Sequence, residues 1–198
     1  MTPKKRTTKE KLIDAAAEQL AIHGYEGVSM RTLARKLGIV QSVIYHHFAD
    51  KDTLLLNMYL DLNKQLGEAR ARLKQPPTVK DMFEQRINFQ MDHATKIIAV
   101  LKYYLHFREE FKHRGTGTLP EKTSLHIDEI IAFGLKTKQI KTDSPEKDAK
   151  VITHAINGYL LEYFPYMPEG AERDTIVESV TSFALRSLRY APRQNAQR

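Results

Sequence analysis

The sequence predicts an all-α protein, a three-helix N-terminal head followed by a larger helical body, about nine helices in all. Three observations carry this. Apolar residues recur at spacings of three and four in one segment after another, and no stretch alternates like a strand. Helix starts are marked by Thr7, Ser29, Asp50, Thr78 and Ser144, and stops by Gly24, Gly38 and Pro76-Pro77. Charge is uneven: positions 1–115 hold 20 Lys and Arg against 13 Asp and Glu, and positions 116–198 hold 11 of each. The whole net charge of +7 therefore lies in the first part.

Composition narrows the function. A chain of 198 residues with 41% hydrophobic and 28% charged residues buries an ordinary core. The absence of cysteine excludes disulfides, thiolate metal sites and cysteine nucleophiles. No apolar run reaches the roughly 18–20 residues that span a bilayer, and the start, Met1 to Arg6, is polar and basic. A cytoplasmic location without a membrane partner is expected. The basic first part suits a polyanion, although a solvated surface with chance clustering gives the same count.

Lys4, Lys5 and Arg6 form a basic arm. Thr7 with Glu10 is a capping box, and Leu12, Ile13, Ala16, Leu20 and Ala21 give the first helix one apolar stripe up to Gly24. Ser29 caps the second helix, with Val28 and Leu33 placed as a hydrophobic staple, and Gly38 ends it. The third runs from about Gln41 to Phe48. Ile44 and Phe48 lie four apart on its inner face, leaving Gln41, Ser42, Val43, Tyr45, His46 and His47 to point elsewhere. Two short helices across a glycine turn, the second rich in hydrogen-bonding groups, form a helix-turn-helix whose second helix enters the major groove. A plain helical hairpin has the same pattern. The adjacent pair His46-His47 points two ways on a helix, which suits one exposed and one partly packed ring.

Asp50 caps the fourth helix, whose first residue is Lys51. A cation there opposes the partial positive charge of the helix start by roughly 0.3–1 kcal/mol. A phosphate at that end would remove the conflict; a solvated side chain would merely tolerate it.

The run from Gly38 through Gln41-Ser-Val-Ile-Tyr-His-His-Phe48 to Asp50-Lys-Asp-Thr-Leu-Leu55 resembles the signature of the tetracycline-repressor (TetR) family of transcriptional regulators. The likeness is close over about fifty residues. It implies that Tyr45 and Lys51 touch the DNA backbone, that Gln41, Ser42, Val43 and His47 approach base edges, with His46 beside them, and that Arg31 reaches DNA from the preceding helix. Val40 stands where many relatives carry a small or polar capping residue.

The body begins with a helix over Lys51 to Lys74, followed by one capped by Thr78 and Asp81 with Phe83, Ile87, Gln90 and Met91, and one from about Thr95 to Phe111. A loop spans Arg114 to Pro120, and a seventh helix carries Leu125, Ile127, Ile130, Ile131 and Phe133. Ser144-Pro145 starts the eighth, where Ala149, Ile152, Ile156, Tyr159 and Tyr163 form a stripe and Gly158 allows a close neighbour. The ninth carries Ile176, Val177, Val180, Phe183, Ala184 and Leu188. These last two suit a homodimer with an interface of Ile152, Ile156, Tyr159, Tyr163, Val177, Val180, Phe183 and Ala184; closing the monomer core is the alternative. A two-fold dimer implies a palindromic double-stranded DNA operator.

Met58, Tyr59, Phe83, Phe89, Met91, Tyr103, Tyr104, Phe107, Ile127 and Ile130 make the middle helices rich in aromatic and flexible side chains. That suits an adaptable apolar pocket and equally a plain core. The resemblance implies a pocket for a small-molecule effector. His93, His106, His113, His126 and His154 have no ligand spacing, so no metal or other cofactor is expected, and no phosphate loop, nucleophile elbow or carboxylate pair marks an enzyme. The expected division is a DNA-binding domain over 1–50, a ligand-binding and dimerisation domain over 51–191 and a flexible tail over 192–198. The function expected is that of a ligand-responsive regulator, a repressor released from its operator by a small apolar or amphipathic molecule. The competing readings are a helical small-molecule-binding protein or enzyme with an incidental helix-turn-helix, and a helical adaptor for other proteins.

Overall fold

The computed structural model describes residues 6–74, 76–113 and 126–191, the side chains of 109–113 excepted. Among these residues there are nine helices and no strand: α1 (Thr8–Gly27), α2 (Met30–Leu37), α3 (Gln41–His47), α4 (Lys51–Ala71), α5 (Val79–Asp92), α6 (Ala94–His113), α7 (Ile127–Lys136), α8 (Pro145–Tyr163) and α9 (Gly170–Ser187). They form two compact units, one of residues 1–72 with 95–116, the other of 73–94 with 117–198. The first holds α1 to α4 and α6; the second holds α5, α7, α8 and α9.

In the first unit the caps form as their residue types dictate. The Thr7 N–H donates to Glu10 Oε2 at 2.7 Å while the Glu10 N–H donates to Thr7 Oγ1 at 3.3 Å, closing the capping box. Gly24, at φ 70° and ψ −175°, breaks the helical run of α1, and the chain continues to Gly27 beyond the break. Ser29 accepts from the Thr32 N–H at 3.3 Å, and Gly38 ends α2 at φ 66°, a conformation that costs glycine little. Leu12, Leu20, Leu33, Ile44, Phe48, Leu54, Leu55 and Met58 fill the core, each 2% exposed or less. Val28 and Leu33, the expected staple pair, are both buried. From α6, Lys102 Nζ donates to the Ala21 carbonyl at 2.6 Å and Lys96 Nζ to Gln65 Oε1 at 2.7 Å.

The second unit is built on α5. Val79, Phe83, Ile87 and Met91 pack with Ile127, Ile130 and Ile131 of α7, Ile152 and Ile156 of α8, and Ile176, Val177, Val180 and Ala184 of α9 in one apolar cluster. Buried Gln139 ties the end of α7 to the start of α5: its Oε1 accepts from the Val79 N–H at 3.0 Å, and its Nε2 donates to Thr137 Oγ1 at 3.0 Å. Arg173 of α9 holds α5 through Asn88 Oδ1 at 2.9 Å and Asp92 Oδ1 at 2.8 Å.

Several expectations need correction. The Ser144 side chain makes no capping bond; its N–H instead donates to Thr142 Oγ1 at 3.0 Å, which leaves Pro145 to start the helix. Gly158 has nothing within 4 Å of the position a Cβ would take, so no neighbour in this chain needs the space. Most of the residues expected at the dimer interface fill their own core: Ile152, Ile156, Val177, Val180 and Ala184 are at most 7% exposed and have no surface to offer a second copy. Tyr159 at 42% and Phe183 at 39% keep theirs, while Tyr163 packs partly against the core cluster. Lys4 and Lys5 of the arm, the loop from Arg114 to Pro120, Leu125 and the tail from Pro192 lie outside the described residues, as do the side chains of Phe111 and His113.

Candidate nucleic-acid interface

Helix α3 is seven residues long, too short to hold itself together in water, where about 12–15 residues are marginal. Its hold on the head is Ile44, fully buried, and Phe48 just past its end at 2% exposed. That pair fixes which way everything else points. Gln41, Ser42, Tyr45, His46 and His47 are exposed, Val43 is half-buried, and Arg31 on α2 is exposed. The His46 and His47 rings meet edge to face at 5.4 Å, and both are exposed, where one packed ring was expected; only Ile44 and Phe48 turn inward from this stretch. Val40 forms the N-cap without a side-chain hydrogen bond and is 66% exposed, since an alkyl group has no acceptor to offer the free N–H groups.

At the start of α4, Asp50 Oδ1 accepts from the Thr53 N–H at 2.7 Å, and that donation lowers the Asp50 carboxyl below its usual range. Lys51 also has a neighbour inside the chain. Lys51 Nζ lies 3.8 Å from the centre of the Tyr25 ring, whose electron-rich face attracts a cation. The Tyr25 hydroxyl in turn donates to Asp52 Oδ1 at 2.5 Å. Tyr25 and Asp52 were missed in the sequence reading. Their signals were an aromatic directly after the glycine stop and an acid next to the misplaced lysine.

The ten residues expected to line an effector pocket fall into two groups. Tyr59 of α4 stacks on Tyr103 of α6 at 4.7 Å, and Tyr103 lies 4.7 Å from Phe107. Met58 is buried in the same unit and Tyr104 is half-buried. Burial pushes the Tyr59 phenol up to about 12, and its hydroxyl has no hydrogen-bond partner among the described residues. Phe83, Met91, Ile127 and Ile130 belong instead to the core of the second unit, and Phe89 stacks on His93 at 4.3 Å.

That second unit holds a residue the pocket prediction left out. Gln90, 1% exposed, sits with Ile87 and Met91 of α5, Ile156, Tyr159 and Leu160 of α8, and Ile176 and Val180 of α9 around a narrow cleft of about 10 Å³. Neither its amide nitrogen nor its amide oxygen has a partner among the described residues. The signal was a glutamine within the apolar stripe of α5. A buried unpaired amide costs about 1–3 kcal/mol, so Gln90→Leu is expected to raise the denaturant midpoint of the ligand-free protein. Gln139→Leu, which removes a satisfied amide, is expected to lower it. A lower midpoint for Gln90→Leu would show that its amide is already satisfied.

Among the described residues no helix is long and apolar enough to cross a membrane, and no three His, Cys, Asp or Glu side chains gather as a metal site.

A glycine-turned helix pair that presents an exposed polar face, carried on a wholly helical body, defines the class of helix-turn-helix proteins. Residues 12–58 match the family model described as bacterial regulatory proteins, tetR family. An HTH-type transcriptional regulator of Mycobacterium tuberculosis is 31% identical over 77 residues, which is 39% of this chain and 32% of that protein. The HTH-type transcriptional repressor AcnR of Corynebacterium diphtheriae is 30% identical over 74 residues, 37% of this chain and 39% of the repressor. The match thus spans about a third of the length of these curated relatives. The crystal structure of a bacterial regulatory protein in the tetR family from Rhodococcus RHA1 superposes with a TM-score of 0.68 at 18% identity, covering 95% of this chain and all of the other. The head over residues 12–58 is thus similar to that of the tetR family, and the fold of the chain is like that of a solved protein described as one of its members.

Proposed function

We propose that the chain is a DNA-binding transcriptional regulator, a repressor that works as a homodimer on a palindromic operator and is released by a small apolar or amphipathic effector. The single observation that carries the reading is the exposed row Gln41, Ser42, Tyr45, His46 and His47 on a helix held from behind by Ile44 and Phe48. Those side chains hydrogen-bond base edges and phosphates, and Arg31 and Lys51 add positive charge at either side. The family match over residues 12–58 supports the same role. Such a regulator works in the cytoplasm, beside the chromosome. The domain roles follow: residues 1–50 read DNA, and 51–191 bind the effector and the second copy.

The dimer reading is supported by exposed apolar side chains on α8 and α9, Val151, Tyr159, Leu161 and Phe183, with Tyr166 just beyond α8. The effector reading is supported by the Gln90 cleft and the Tyr59–Tyr103–Phe107 stack. The cleft is smaller than the roughly 300–1,000 Å³ of ordinary ligand pockets, so an effector there would have to part α5 from α8 and α9. Release then rests on an effector that favours the parted state. An almost complete switch needs about 5.5 kcal/mol of such preference.

The test is selection of duplexes from a random pool, followed by footprinting and titration at several salt concentrations. A palindromic site is expected, with half-sites roughly 34–36 Å apart and log affinity falling linearly with log salt. Ligand binding or turnover without salt-dependent DNA affinity would establish the competing class of small-molecule-binding protein or enzyme.

A further inference from the structure

Tyr25 stands where three helices of the first unit meet. The break at Gly24 carries it out of the helical run of α1. His106 of α6 stacks on its ring with centroids 3.8 Å apart and planes 14° from parallel. Lys51 Nζ lies 3.8 Å from the same centroid. One ring face cannot hold both an imidazole and an ammonium at that distance, so the phenol is sandwiched, His106 on one side and Lys51 on the other. The hydroxyl is tied to Asp52, the neighbour of Lys51, and Phe107 meets the ring edge-on at 5.5 Å and 84°. Phe107 continues through Tyr103 to Tyr59, so an unbroken aromatic column joins the middle of α4 to the first residue of that helix. Lys102, one turn before His106, fixes α6 to the Ala21 carbonyl just before the break.

We propose that Tyr25, backed by His106, is the positioning residue for the Lys51 contact with DNA phosphate. This rests on the reading of Lys51 as a phosphate contact. A free lysine side chain gives up rotamer entropy when it is fixed. The Tyr25 ring fixes it beforehand, next to the start of α4, so less ordering is left for the moment of binding. Because α6 supplies the other face of the ring, a movement of α6 reaches the ammonium through one aromatic ring. Tyr25 itself makes no contact with DNA in this account.

The experiment is a double-mutant cycle in the full chain, read as affinity at fixed salt and as the slope of log affinity against log salt on the duplex that the wild-type chain selects. Lys51→Ala is expected to reduce the slope by about 0.9 per DNA-contacting head, the value of one neutralised phosphate. Tyr25→Leu is expected to lower affinity several-fold at a slope near the wild-type one, because the freed lysine still neutralises its phosphate, and to add nothing in the Lys51→Ala background. Tyr25→Phe keeps the ring and is expected to stay near the wild-type affinity. In the free protein, the Lys51 ε-methylene protons are expected upfield of those of other lysines, and nearer to them in His106→Ala. Should Tyr25→Leu not fold, His106→Ala enters the same cycle, with an affinity loss confined to the Lys51 background. An unchanged slope for Lys51→Ala overturns the phosphate reading beneath the proposal. Wild-type affinity in Tyr25→Leu, or equal losses of affinity with and without Lys51, overturns the proposal alone.

Discussion

Replacing Phe48 with alanine is expected to cost about 3–5 kcal/mol and to remove DNA binding altogether. Phe48 is 2% exposed at the exit of α3, and its N–H donates to the Ile44 carbonyl at 2.9 Å. It is half of the apolar hold on a seven-residue helix that has no side-chain cap at its start. A whole domain is stable by only about 5–15 kcal/mol, so that loss falls heavily on the head. Denaturant titration followed by circular dichroism measures the cost, and a gel shift measures the binding. A loss under 1 kcal/mol with normal binding would mean that α3 is held by something other than this pair.

The second large effect concerns the body. Phe183→Glu is expected to leave the fold intact, because the side chain is already 39% exposed and surface changes usually stay within about 0.5 kcal/mol. It is also expected to make the chain monomeric, because a carboxylate pressed into an apolar interface is left unpaired. Two linked heads bind a double site more tightly than one by about 10²–10⁴-fold, and that factor is what the variant loses on its selected duplex. Sedimentation measures the mass and a gel shift the affinity. A variant that remains a dimer moves the interface away from the exposed edge of α9.

The sequence made the head legible to the level of single atoms. Thr7, Ser29 and Asp50 cap where expected because capping chemistry is local: an oxygen three residues before an N–H has one thing to do. The exposed row on α3 was legible for the same reason, since Ile44 and Phe48 settle the orientation of a two-turn helix. The body was not legible in this way. Periodicity shows that one face of a helix is buried but not what covers it, so Ile152 and Ile156 read equally as interface and as core. Phe83 and Tyr103 likewise read as one pocket, although they belong to different units. Gln90 and Gln139 look alike in sequence. One has both polar atoms met by groups sixty or so positions away and the other has none, and spacing holds no trace of the difference. The Tyr25 sandwich joins positions 25, 51 and 106, and no local rule connects them.

The division of labour within α3 has a consequence for how proteins of this design diverge. Two inward residues keep the helix in place, and the five exposed ones lie outside the core, the His47 ring 6.3 Å from that of Phe48. On the proposed reading, gene duplicates that exchange Gln41, Ser42, Tyr45 or His46 are expected to acquire a new target sequence while folding as before. The vocabulary of such a reader drifts freely as long as its hinge pins, Ile44 and Phe48, are inherited unchanged.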